Sequence, residues 1–259
     1  MLKRCAVTAL VLAATGTAPA QTTGFYVRAS ANYQQNRDVP LTDNLPPGAG
    51  SWFGYGVPGN PFGFVIPGNP NEGDKHPHSS RWGGGLALGY RASLLLRYEL
   101  SVDRTSGSTI QFAYPSLVAP SPAESVWFSV TSTQMMGNVY LDVAPLLPPD
   151  ALGPVNPYVM VGAGVSRNTN GDYLCNSLNS CTANSYATAA THYDFAWQTG
   201  LGIVWKITPA VAMDFGYRYV DMGTIRGADV QAPFPAWGLN GRLTANRFSA
   251  GLVYTFGGK

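Results

Sequence analysis

The C-terminal stretch 247–256 alternates with period two. Phe248, Ala250, Leu252, Tyr254 and Phe256 fall on one side of an extended strand, and Arg247, Ser249, Gly251, Val253 and Thr255 on the other. An apolar face ending in aromatics, backed by a small and polar face, suits a wall with hydrocarbon outside and a filled interior. The same pattern recurs upstream, and that recurrence restricts the fold more than any other feature. Phe25, Val27, Ala29, Ala31 and Tyr33 alternate with Tyr26, Arg28, Ser30 and Asn32. Trp82, Leu86, Leu88 and Tyr90 alternate with Gly83, Gly85, Ala87 and Gly89. Leu94, Leu96, Tyr98, Leu100 and Val102 oppose Leu95, Arg97, Glu99, Ser101 and Asp103. Further strands are expected over 127–143, 158–165 and 195–205, and where Val211, Met213, Phe215, Tyr217 and Tyr219 oppose Asp214, Gly216 and Arg218.

The connections alternate in length. Residues 34–80, 104–126, 167–192 and 221–243 are rich in Gly, Pro, Asn and Ser and read as long loops, whereas 92–93, 145–157 and 206–209 read as short turns. Eight strands joined in this way predict an all-β fold: an eight-stranded antiparallel up-and-down transmembrane β-barrel, with four long extracellular loops and short periplasmic turns. A soluble ligand-carrying barrel shows the same alternation with its faces reversed, so composition has to decide. Charged residues are 12% of the chain, against about 25% in ordinary soluble domains. The polar face is mostly Gly, Ala, Ser and Thr, not the Lys and Glu of a water-facing surface, so the apolar face is expected to point outward into lipid.

Residues 1–20 read as a secretory signal peptide. Lys3 and Arg4 begin it, 6–14 is its apolar middle, and Ala18-Pro19-Ala20 is an A-x-A cleavage site before Gln21. The expected mature domain is therefore 21–259. Loss of Lys3 and Arg4 leaves the basic residues equal to the 14 acidic ones, so nothing favours nucleic acid as a partner. Cys175 and Cys181 remain close together in a polar loop of an exported chain and are expected to form a disulfide.

Ser249-x-Gly251-x-x-Tyr254-x-Phe256 resembles the terminal signal by which outer-membrane barrels are recognised by their insertion machinery. Leu96-Arg97-Tyr98-Glu99-Leu100, Asn138-Val139-Tyr140-Leu141-Asp142, Pro157-Tyr158-Val159 with Gly162-Ala163-Gly164, and Asp214-Phe215-Gly216-Tyr217-Arg218-Tyr219 resemble the opacity-type outer membrane β-barrel family. The resemblance implies an eight-stranded barrel in a Gram-negative outer membrane, in a family whose members are surface antigens, adhesins and narrow porins. It implies outer-membrane lipid and lipopolysaccharide as surroundings, and periplasmic chaperones and the barrel-assembly machinery as partners.

Parity sends eight charges into the lumen: Arg28, Arg97, Arg218 and Arg247, with Glu99, Asp103, Asp142 and Asp214. Arg97, Glu99, Asp214 and Arg218 are expected in its middle zone. Equal numbers of each sign predict a paired network. Such a network serves either as a structural plug or as an ion-selecting constriction. The plug is favoured, because side chains fill an eight-stranded barrel. The loops carry Trp52, Phe53, Tyr55, Phe62, Phe64, Phe234 and Trp237, suited to contact with an extracellular protein or surface ligand. Enzymatic readings are weak. Asp74-Lys75-His76-Pro77-His78 could bind a metal, but such a polar cluster is more often simply solvated; His192 has no serine at a spacing that suits a lipid-modifying hydrolase, and nothing suggests a cofactor. The glycines at 83–89 precede no helix, as a phosphate loop would require. No feature sets an oligomeric state.

Overall fold

The computed structural model describes residues 23–37, 41–43, 80–114, 124–148, 151–171, 174–175, 190–226 and 239–257. They form β1 (Gly24–Asn36), β2 (Leu41–Asp43), β3 (Ser80–Arg91), β4 (Leu96–Tyr114), β5 (Glu124–Asp142), β6 (Val155–Asn170), β7 (Leu174–Cys175), β8 (Ala190–Lys206), β9 (Val211–Arg226) and β10 (Leu239–Thr255), with one 3-10 turn at Ala144–Leu146. Among the described residues, the eight long strands each pair antiparallel with their neighbours, and β1 bonds to both β3 and β10. The sheet is closed, so the wall has no edge to leave backbone groups unpaired in hydrocarbon. The two short strands extend the wall at its long-loop end, β2 along β10 and β7 along β5.

The alternation seen in the sequence becomes an inside-out protein. Leu86 and Leu100 are 69% and 70% exposed on the outer face, while Arg28, Glu99 and Arg247 are buried within. Outward aromatics gather at two levels. Phe25–Tyr90 and Tyr254–Phe256 lie in contact near the short-turn end, and Tyr33–Trp82, Trp197–Tyr219 and Tyr217–Phe248 lie further along the wall. Such girdles suit the two interfaces of a bilayer.

The short turns are built locally. Ser93 Oγ accepts from the N–H groups of Leu95 and Leu96 at 3.2 and 3.1 Å, Asn156 Oδ1 accepts from Ala144 N at 3.1 Å, and Thr208 Oγ1 accepts from Val211 N at 3.0 Å. At the other end the strands run further than the sequence pattern indicates. Residues 104–126 were expected as loop with strand extension only around 110–114, yet β4 and β5 stay paired out to Tyr114↔Glu124 apart from one irregularity. The register shifts between Thr105 and Ser108, and such a bulge slips the phase of a period-two count. A second shift between Arg242 and Thr244 similarly hides the ends of β9 and β10, which pair within the stretch expected as loop four.

Candidate functional site

The lumen is the candidate site. All eight charges expected there are inward and buried, none more than 3% exposed. What lets them meet is the small inner face of two strands. Arg28 on β1 and Glu99 on β4 are separated by β3, whose inward residues there are Gly85, Ala87 and Gly89. A Cβ at Gly85 would collide with the Asp103 carboxylate, and one at Gly89 with the Tyr26 ring. Across the barrel, Tyr158 on β6 passes over Gly202 of β8 to reach Asp214 on β9, donating its hydroxyl to Oδ1 at 3.1 Å. A Cβ at Gly202 would occupy the space of that hydroxyl.

The charges form three clusters. Arg28 binds Glu99 through two nitrogens, Nη2 to Oε1 at 2.7 Å and Nε to Oε2 at 3.1 Å. Tyr140 and Tyr26 donate their hydroxyls to the same carboxylate at 2.8 and 3.3 Å. Arg97 donates Nε to Asp142 Oδ1 at 3.0 Å, and its guanidinium lies 4.7 and 5.1 Å from the ring centres of Tyr140 and Tyr158. Arg247 gives Nη2 to Gln34 at 2.7 Å and to Gln134 at 2.6 Å, with Asp103 at 3.9 Å from its Nη1. Asn32 Nδ2 donates to the other Asp103 oxygen at 2.9 Å.

Two expectations need correction. Arg97 does not sit mid-lumen. It is the second residue of β4 and is tied to the last residue of β5, at the short-turn end. Nor is the network fully paired. Among the described residues, Arg218 makes no hydrogen bond or salt bridge, although its side chain is fully buried near Tyr140, Arg28 and Asp103. Asp214 has its tyrosine but no cation within 4.0 Å. Equal numbers do not guarantee partners, because the pairs form across the lumen at levels set by register.

Parity reasoning also passed over participants. Arg91 belongs to the lumen and lies 3.1 Å from Asp142. It closes the inward series Gly85, Ala87, Gly89, so its position in the alternation was the available signal. Neutral side chains continue the network beside the charges. Gln198 donates to Asn138 at 2.6 Å, Asn138 to Ser101 at 3.0 Å, Gln134 to Ser132 at 3.1 Å and Ser132 to Asn168 at 2.8 Å. Met222, Ile225 and Leu243 are buried beyond it.

In β10, Ser249 donates Oγ to Gly216 O at 3.3 Å and Gly251 pairs with Ser30, while Tyr254 and Phe256 lie outside with ring centres 5.2 Å apart. Phe256 N bonds to Phe25 O at 2.9 Å, sealing the end of the closing ladder. Ala20, Gln21, His76, His78, Cys181 and the aromatics of the long loops lie outside the described residues, so neither cleavage nor the Cys175–Cys181 pair is seen. His192 lies in β8 near the rim, and the described residues contain no cluster of three metal-ligating side chains.

The model of the outer membrane protein β-barrel domain family matches residues 5–256. The chain belongs to that family. Among solved structures it is similar to the outer membrane protein OprG of Pseudomonas aeruginosa at 11% identity and a TM-score of 0.51, over 91% of this chain and 97% of that one. At that identity the likeness concerns the fold alone. Neisserial surface protein A aligns at 16% identity and a TM-score of 0.48, over 91% of this chain and 100% of the other. No curated protein matches the chain. The family and the fold make this an outer-membrane barrel, in contact with membrane lipid along its apolar wall.

Proposed function

We propose that this barrel is closed to solutes and acts as a structural and surface-interaction protein, presenting its long loops as an antigen or adhesin does. One observation carries the reading: the lumen is filled. The bidentate Arg28–Glu99 pair, the tyrosines that donate to it and the carboxamides beside it are all almost inaccessible to water. An ion would have to break Arg–carboxylate bonds in order to pass, and those are among the stronger protein hydrogen bonds. In this reading residues 1–20 are removed after Ala20, the domain spans 21–259, and both termini and the short turns face the periplasm. The long loops are extracellular, amid lipopolysaccharide, and carry the contact with a protein or surface ligand. Ser249, Gly251, Tyr254 and Phe256 address the chain to the barrel-assembly machinery after periplasmic chaperones deliver it.

A narrow pore is the second reading, favoured by one feature: among the described residues Arg218 and Asp214 lack ionic partners, so they can serve an alternative arrangement of the plug. Planar-bilayer recording separates the two. The unmodified protein is expected to give no steady current, and Arg97→Gln, which removes both the Asp142 bond and the guanidinium stacked on two tyrosines, to give a measurable one. A large, stable current from the unmodified protein would make the pore the better reading.

A further inference from the structure

The short-turn mouth of the barrel carries a small cavity at the end of the plug. Arg91, Lys206, Asn156, Leu94, Ala144 and Gly153 help to line it. Charge around it is unbalanced among the described residues. Asp142 alone faces two guanidiniums, with Arg97 at 2.8 Å and Arg91 at 3.1 Å. Lys206 adds a further cation and makes no salt bridge among the described residues. Arg97 is buried against Asp142, whereas the Arg91 side chain keeps 20% of its surface exposed. Asn156 spends its carbonyl oxygen on Ala144 N at 3.1 Å, which leaves its amide nitrogen as a donor. The side chains left with capacity are thus all donors, and two of the three are cationic. Among the described residues, the ligand that these side chains suit is an anionic acceptor.

Size narrows the choice. The cavity is small, about 80 Å3. One tetrahedral oxyanion fits that space. A guanidinium fork beside an ammonium matches the oxygens of a phosphate in both geometry and charge. We propose that the short-turn mouth binds a single phosphate group through Arg91, Lys206 and Asn156. The phosphate can be inorganic or the headgroup of a phospholipid in the adjoining leaflet. The lipid route is open because outward Leu94 and Trp205 put this rim at the apolar boundary. The proposal rests on the membrane fold and is independent of whether the lumen conducts.

The test uses the whole mature protein, refolded in a non-ionic, phosphate-free detergent at low salt. Inorganic phosphate, short-chain phosphatidylglycerol and acetate are titrated separately by calorimetry. Saturable binding of phosphate or of phosphatidylglycerol is expected, and whichever binds more tightly names the source. Loss of one charged contact is expected to weaken binding at least about tenfold in Lys206→Gln and in Arg91→Gln. Arg37→Gln, at the opposite rim, should bind as the unmodified protein does. Lys206 is exposed, so its variant keeps the test decisive even if Arg91→Gln misfolds. Absence of saturable binding by both phosphate ligands overturns the proposal. So does unchanged affinity in Lys206→Gln, or acetate binding as tightly as phosphate.

Discussion

Two arginines buried in one lumen should respond to the same substitution with opposite sign. Arg28→Met removes two nitrogen–oxygen bonds to Glu99 and leaves that carboxylate with only the hydroxyls of Tyr26 and Tyr140, at 3.3 and 2.8 Å. Stranding one member of a buried pair costs about 3–5 kcal/mol. Arg218→Met strands nothing, since none of its nitrogens has a hydrogen-bond partner. Its longer-range attractions to Glu99 and Asp103 are opposed by the like charges of Arg28 and Arg247. A buried guanidinium that makes no bond still carries its desolvation cost, and replacing it with an apolar side chain of similar length should be neutral or stabilising by about 1–4 kcal/mol. Equilibrium urea unfolding in phospholipid vesicles, followed by tryptophan fluorescence, measures both. Arg28→Met with Glu99→Leu should recover most of the single variant's loss. If Arg218→Met loses as much stability as Arg28→Met, the idea that partners decide the worth of a lumen charge is wrong.

Three further outcomes can be checked in the same vesicles. Leu100→Arg, at the most exposed point of the outer wall, should cost about 2–4 kcal/mol if that face meets hydrocarbon near the bilayer midplane, and close to nothing if it meets water. Gly89→Ala forces a methyl group into the Tyr26 ring and should cost about 1–3 kcal/mol. Deleting most of the segment between β1 and β3 should leave a barrel that still resists unfolding in SDS at room temperature, because the eight long strands pair without it.

The wall was legible because lipid and a packed interior impose opposite demands on alternate residues, and Phe25 to Tyr33 or Phe248 to Phe256 record both. The direction of all eight lumen charges followed from the same parity. Partnership did not follow, because it depends on which level of one strand faces which level of a strand two places away. Arg28 meets Glu99 only because β3 is small on its inner face, and the glycines that make this so read in isolation as mere spacing. Arg91 escaped notice because it borders a turn, where alternation carries less weight. Strand ends were misjudged where a bulge slips the phase, as after Thr105.

The ladder that joins β1 to β10 also sets the order of events in the life of the chain. Tyr26 pairs with Thr255 and Asn36 with Ala245, so the first strand to leave the ribosome waits for the last before it has its second neighbour. The Arg247–Gln34 bond spans 213 positions and the Arg28–Glu99 bond 71. Contacts this distant form slowly, because loop closure must come first. Until then each hairpin exposes an oily face on one side and unneutralised charges on the other, suited neither to water nor to lipid. The unfinished chain is therefore at its most vulnerable in transit. A truncation that removes β10 should send it to proteolysis or aggregation, not to a smaller barrel.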